Sequence, residues 1–339
     1  MVGGGATASE PLDQILKRVL DARLDEYDPW LYRYCGPLAS STEASRYRRH
    51  LTDLLDFGRV DPRGRTALDA GCGFGFTLLV LRWLGAAQVC GIDSSEPMVR
   101  TVRAYQALLP DDLSAGIHVS VGSVHEMPFA DGSFDLLLSL EAISHYRDVD
   151  LFIRESARVL RPGGTLLVRD GNNGRNPRVR RDTHALWEEY ETGKPSPLGG
   201  THERDGSYRL RREEIIAESF PELNDEVVTD LVLRTAYMDR DEIIPAVHDY
   251  VGGGRPPASY FDGSHAPVDP NSGAVIERLF DPFELAGRMR AAGFATRTVG
   301  YWGGASGNPA VRLANRALGA ASRLTIVTAP SFTIAARRR

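Results

Sequence analysis

Ala67-Leu68-Asp69-Ala70-Gly71-Cys72-Gly73-Phe74-Gly75 joins a short apolar run to a helical one, and the fold is read from this stretch. Thr66–Ala70 has the character of a buried strand, Gly75–Leu84 of a helix, and Gln88–Asp93 of a second strand. The three glycines carry no Cβ, so the backbone between strand and helix can turn sharply and a ligand can approach it closely. Asp69 stands at the mouth of this turn. Asp93 ends the next strand, in Gly91-Ile92-Asp93.

The same alternation continues outward. Glu96–Leu108 is predicted as a helix, Ile117–Val121 and Phe134–Leu140 as strands, and Val149–Leu160 as a helix. The turn Arg161-Pro162-Gly163-Gly164 leads into a strand over Thr165–Arg169. Continuous apolar strands separated by helices imply a mainly parallel sheet in a doubly wound, Rossmann-like α/β fold. Upstream, Leu12, Ile15, Leu16, Val19 and Leu20 recur at helical spacing, and a second helix runs from about Glu43 to Phe57. It ends at Gly58, with Asp61-Pro62 as a breaker. At Asp170 the pattern stops. Residues 171–280 are rich in Gly, Pro, Arg and Asp, with helical pieces near Thr183–Glu191, Arg212–Phe220 and Asp239–Tyr250. Such a length far exceeds an ordinary connection, so a large, mostly helical insert is expected after the fifth strand. The helix Pro282–Ala292 and strands near Thr296–Tyr301 and Leu324–Ile334 resume the core. The expected domains are 1–60 as a helical N-terminal cover, 61–170 with 281–339 as the core, and 171–280 as an inserted cap or substrate domain.

Composition narrows the function. Hydrophobic residues make up 42% and charged residues 25%, ordinary for a soluble globular chain. No apolar run approaches the roughly 18 residues that span a bilayer. The opening MVGGGATASEPLDQ lacks the basic and apolar regions of a signal peptide, so a cytoplasmic location is expected, with residues 1–8 as a disordered tail. Cys35, Cys72 and Cys90 form neither a disulfide framework nor a CxxC or Cys/His cluster, and no metal site is expected. With net charge −5 and only short basic runs at Arg175–Arg181 and Arg337–Arg339, no nucleic acid is expected as partner, and with no spanning run no membrane is expected either.

Two cofactor classes use a glycine-rich strand-to-helix turn, dinucleotides and S-adenosylmethionine. The dinucleotide pattern GxGxxG requires Gly or Ala at its last position, for close packing around a pyrophosphate. Counted from Gly71, that position is Phe76, which is too large. The carboxylate of Asp69 would repel a pyrophosphate and attract the ammonium of a methionine moiety. Asp93 can accept hydrogen bonds from both ribose hydroxyls. Strand, glycines, helix, strand and acid in register favour S-adenosylmethionine.

Over about Arg65 to Asp170, and less specifically Pro282 to Ile334, the chain resembles the class I S-adenosylmethionine-dependent methyltransferases in their small-molecule branch. The resemblance extends to Val121-Gly122-Ser123-Val124-His125-Glu126-Met127-Pro128-Phe129 and Asp131-Gly132-Ser133-Phe134-Asp135. It implies a seven-stranded sheet of order 3-2-1-4-5-7-6 whose last hairpin strand is antiparallel. It further implies a cofactor site drawn from Asp69, Ala70, Gly71, Cys72, Gly73, Gly75, Asp93, Ser94 and Met98. An acid normally contacts the adenine amino group where Ser123 stands here, a departure; its hydroxyl can accept the same bond, and the Val124 N–H can reach a ring nitrogen. Leu140-Glu141-Ala142 is implied to flank the methionine part.

Methyl transfer is an in-line displacement that mainly needs alignment and exclusion of water. A base is required only if the acceptor must lose a proton. His145, after the fourth strand, is the better candidate base because its unperturbed pKa lies near neutrality; the other reading is a pocket-framing residue. Asp170 ends the fifth strand, either as base or hydroxyl acceptor or as the start of an Asx turn. Arg175–Arg181 either holds a substrate anion or is a solvated helix start. Tyr27, Trp30, Tyr32 and Tyr34 either close over the cofactor or pack ordinarily. His184, His202, His248 and His265 have no metal-ligand spacing. The expected function is methylation of a small-molecule acceptor, with oxygen slightly favoured over nitrogen or carbon, in a specialised biosynthesis; a homodimer is one expected assembly. The alternatives are non-methylating chemistry on the same cofactor (cyclisation, decarboxylation, hydroxylation) and a non-catalytic binding protein.

Overall fold

Residues 10–194, 206–303 and 308–339 are described by the computed structural model. The tail expected over residues 1–8, and His202 of the insert, lie outside the described residues. Three helices precede the sheet: α1 (Leu12–Asp21), α2 (Trp30–Cys35) and α3 (Ser41–Gly58). The core then runs β1 (Thr66–Ala70), α4 (Phe76–Trp83), β2 (Gln88–Asp93), α5 (Glu96–Gln106), α6 (Asp111–Ser114), β3 (Ile117–Val121), β4 (Phe134–Leu140), α7 (Val149–Val159) and β5 (Leu160–Asp170). Next come α8 (Pro177–Thr192), α9 (Tyr208–Ser219), α10 (Asp225–Arg234) and α11 (Arg240–Val251). The chain closes with α12 (Pro282–Ala291), β6 (Phe294–Tyr301), α13 (Pro309–Ala320), α14 (Ser322–Thr325) and β7 (Ser331–Arg338).

The strands form one sheet of order β3-β2-β1-β4-β5-β7-β6, as the family resemblance implied. The first five are parallel, and β7 runs antiparallel to both β5 and β6. Central strands are apolar on both faces because both faces are covered: Ala67, Leu68, Leu136–Leu138 and Leu166–Val168 are all buried. The apolar positions read for α1 are likewise all buried.

Three expectations need correction. Leu324–Thr328 forms helical turns rather than a strand, and β7 begins only at Ser331. Pro330 explains the late start: it has no N–H to give a ladder. β5 begins at Leu160, opposite Phe134, before the regular register resumes at Thr165 opposite Leu136. The expected turn is absorbed as an irregularity in the strand, with Gly163 at φ +79°. In the insert, α8 starts at Pro177, capped by the Asn176 side chain, and α10 was not anticipated at all.

The described chain divides into two compact units. The first comprises residues up to Ile143, Asp148–Gly171 and Pro282–Arg339; the second comprises Ser144–Arg147 and Asn172–Asp281. The chain therefore enters the second unit once after β4 and once after β5. Within that unit, α9, α10 and α11 bury Ile215, Ile216, Phe220, Leu231, Ile243 and Val247 against one another. Arg212 of α9 is fully buried, and its charge is matched by Glu191 of α8 and by the Val232 carbonyl. Asp239 caps α11 in a reciprocal box with Glu242, each side chain accepting the other's backbone N–H at 3.1 Å. Asp239→Ala is expected to cost about 1 kcal/mol, read as a lower urea midpoint with an unchanged slope.

Candidate functional site

The glycine turn is tied to β2 by its own backbone. The N–H groups of Gly71 and Cys72 both donate to the Ile92 carbonyl, at 2.8 and 3.1 Å. Gly73 donates to Oδ2 of Asp93 at 2.8 Å, and Ser95 to Oδ1 at 2.9 Å. Gly122, after β3, donates to the Asp93 carbonyl at 2.9 Å. Asp93 at the strand end thus fixes the turn and the start of α5 through its carboxylate, and the β3 exit through its backbone carbonyl. Each Asp93 oxygen retains a lone pair for a further donor.

The glycines do different work. Gly75 (φ +70°) caps α4, and a Cβ there would come within 2.8 Å of Tyr105 Oη and 2.9 Å of Val102 Cγ2. Its role is packing. Gly73 (φ +50°) faces space: the nearest atom to a Cβ would be Met98 Sδ, at 3.9 Å. Phe76 opens α4, buried against Tyr105 with ring centroids 5.8 Å apart. No third glycine packs there, as the sequence argument required.

Asp69 is 2% exposed, and its Oδ1 has no hydrogen-bond partner among the described residues. Burial, and secondarily the neighbouring Asp93 charge, push its carboxyl well above the usual carboxylate range. Tyr47 of α3, half-buried and hydrogen-bonded to Thr77 Oγ1 at 2.8 Å, lies near enough to feel the Asp69 charge. A buried acceptor left without a donor is costly, and a cationic donor is the group that relieves it. The residues present therefore fit an ammonium-bearing cofactor seated on this turn.

The remaining expected contacts divide. Ala70 is buried at the end of β1, and Met98 is half-buried beside Gly73. Ser94 is exposed. Val124 is buried, whereas Ser123 is exposed and its Oγ is already engaged by the ring Nδ1 and backbone N–H of His125, both at 3.1 Å. Leu140 is half-buried and Ala142 buried. Between them Glu141 holds a left-handed backbone (φ +49°), its N–H on the Arg169 carbonyl and its Oε2 accepting from Gly171 N–H, each at 2.8 Å. A non-glycine residue at positive φ is strained, and such strain concentrates at functional positions.

Of the two candidate bases, Asp170 ends β5 fully buried, in the first unit. His145 belongs to the second, where its Nδ1 lies 2.9 Å from the Val275 carbonyl and its Nε2 3.9 Å from Glu277. The structure does not assign them to one cluster. His184 and His265 are exposed. Arg178 and Arg181 lie exposed in the first turns of α8, as a solvated helix start would. Trp30 and Tyr34 stack at 5.7 Å, with Tyr34 exposed, and the Tyr27 hydroxyl donates to the Val19 carbonyl. The Tyr32 hydroxyl is buried with no partner among the described residues.

Sequence reasoning missed a polar cluster on the α3 side of β5. Arg169 is 3% exposed, yet it donates to Thr333 Oγ1 and the His50 carbonyl and lies 4.0 Å over the Tyr301 ring. His50 also meets the Tyr301 hydroxyl at 3.1 Å, and burial together with Arg169 lowers its pKa to about 3. It stays neutral. An arginine in the apolar run Leu166-Leu167-Val168-Arg169 was the available signal.

Residues 68–168 match a family model described as a methyltransferase domain. Ajmaline N-methyltransferase of Rauvolfia serpentina is 34% identical over 145 residues, covering 40% of this chain and 49% of that protein. The 2-methyl-6-phytyl-1,4-hydroquinone methyltransferase of Synechocystis is 40% identical over 121 residues, covering 35% and 36%. The chain thus spans less than half the length of these curated relatives. A solved S-adenosylmethionine-dependent methyltransferase from Mesorhizobium loti is similar at 17% identity and TM-score 0.45, over 86% of this chain and 98% of that one. The segment from Leu68 to Val168, folded around the turn just described, thus matches the methyltransferase-domain family.

Proposed function

We propose that this protein methylates a small-molecule acceptor with S-adenosylmethionine as donor. The observation that carries the reading is the buried Asp69 Oδ1, without a hydrogen-bond partner among the described residues, beside a glycine turn with room at Gly73. When bound, the cofactor supplies a methyl group already activated by a positive sulfur. Asp69 would hold its ammonium, and Asp93 its ribose hydroxyls through the lone pairs that Gly73 and Ser95 leave over. Gly71, Cys72 and Gly75 shape the turn, Val124 and Ser123 border the adenine side, and Leu140, Glu141 and Ala142 the methionine end.

His145 is the proposed base. With Nδ1–H donating to the Val275 carbonyl, Nε2 carries the ring's lone pair, 3.9 Å from Glu277 Oε1. A base of that kind suits a hydroxyl acceptor, which is the reading favoured here over nitrogen or carbon. Asp170 is the secondary candidate. The helices α1 to α3 act as cover, and the second unit selects the acceptor. The two relatives are named for two different acceptors, which supports assigning acceptor choice outside the shared segment. A cytoplasmic enzyme of specialised biosynthesis, free of nucleic acid and working as a homodimer, completes the proposal.

Incubation with methyl-labelled S-adenosylmethionine and a low-molecular-weight extract of the source cells tests it. The expected result is labelled small-molecule product with equimolar S-adenosylhomocysteine. Product without S-adenosylhomocysteine, or label on protein or RNA alone, would refute the reading.

A further inference from the structure

The connection between β6 and β7 is out of proportion to its task. Antiparallel neighbours need about two to five residues to be joined, yet here residues 302–330 intervene and include α13 and α14. Long connections in compact domains usually carry a function.

One side of α13 is turned to the protein, with Asn315, Leu318 and Gly319 half-buried. Another side is apolar and open. Ala310, Leu313, Ala314 and Ala317 follow helical spacing and are all exposed, and the apolar surface continues to Leu324 and Val327. Leu313 is 69% and Leu324 82% exposed, values that no ordinary packing role explains. Flanking them, Arg316 and Arg323 are exposed and have no acidic partner among the described residues. The charge pattern extends beyond the helix. From Leu285 to the C-terminus the sequence contains nine arginines and no Asp, Glu or Lys, in a chain whose net charge is −5.

We propose that α13 and the turns that follow it seat this protein reversibly on the surface of an anionic lipid bilayer. Leucine tips that enter the acyl boundary, with arginines beside them at headgroup level, are the chemistry of an interfacial helix. Association with a second copy through the same face would bring Arg316 and Arg323 of the two copies together, an unfavourable juxtaposition. No described helix is long and apolar enough to cross a membrane, so the attachment is to the surface only.

Co-sedimentation of the full chain with vesicles of phosphatidylcholine, alone or mixed with phosphatidylglycerol, tests the proposal. Binding is expected only to the mixed vesicles and is expected to fall with added salt. Removing both charges in Arg316→Ala/Arg323→Ala should weaken partitioning about thirtyfold. Leu313→Asp/Leu324→Asp should weaken it at least about tenfold. All four side chains are exposed, so both variants should keep the parent's circular dichroism and melting temperature. Three outcomes would overturn the proposal: no binding to either vesicle, equal binding to both, or a dimer in sedimentation velocity that the leucine variant dissolves while vesicles stay unbound.

Discussion

Asp69→Asn is expected to weaken binding of S-adenosylmethionine about a hundredfold while raising the melting temperature of the ligand-free protein by a few degrees. The two effects have one cause. A charge-assisted hydrogen bond contributes roughly 1.5–3 kcal/mol, and the amide keeps the shape of the carboxyl but not its charge. In the free protein that carboxyl is a liability, because Oδ1 is buried without a donor among the described residues and Asp93 lies near. Calorimetry measures the first effect and thermal unfolding the second. A stabilised variant with unchanged affinity would show that Asp69 does not meet the cofactor.

The same residue sets a pH dependence whose sign can be worked out. Its folded pKa is raised, so the contribution of this group to stability is full below the unfolded carboxylate pKa and is lost as pH rises through the folded value. A cationic ligand reverses the preference and favours the carboxylate. Wherever Asp69 is protonated in the free protein, cofactor binding should therefore release a proton. Titrations in buffers of different ionisation heat detect it, and proton uptake instead would contradict the assignment.

What the sequence made legible follows from distance along the chain. The glycine turn, Asp93 and the alternation of strands and helices are local signals, each complete within about twenty residues, and the strand order of the sheet agrees with the last of them. Arg169 was passed over because its partners are remote: His50 lies 119 residues away and Thr333 164. The return of Ser144–Arg147 to the second unit depends on Val275 and Arg278, which accept no notice from local pattern. The missed α10 is a different failure. Asn224 followed by Asp225 and Glu226 is an adequate helix start, and the charged texture of the insert hid it. The strand misplaced onto Leu324–Thr328 came from treating an apolar run as buried when Leu324 and Val327 are exposed.

Gly73→Arg is expected to abolish cofactor binding, a loss of more than about a thousandfold, since a single displaced backbone approach removes several contacts at once. Its effect on folding should be small by comparison: nothing lies closer to a Cβ there than Met98 Sδ at 3.9 Å, so the main cost is the positive φ, about 1 kcal/mol. Gly75→Ala provides the contrast. Its Cβ would press on Tyr105 Oη and Val102, and Tyr105 already spends its hydroxyl on the Phe74 carbonyl at 2.9 Å. That variant should lose about 1–3 kcal/mol of stability through overpacking, and whatever remains folded should retain measurable affinity. Two glycines in one turn thus separate by experiment into one that keeps space for a ligand and one that keeps the helix on the sheet. If Gly73→Arg bound S-adenosylmethionine normally, the open side of the turn would not be the cofactor seat, and the reading of Asp69 would fall with it.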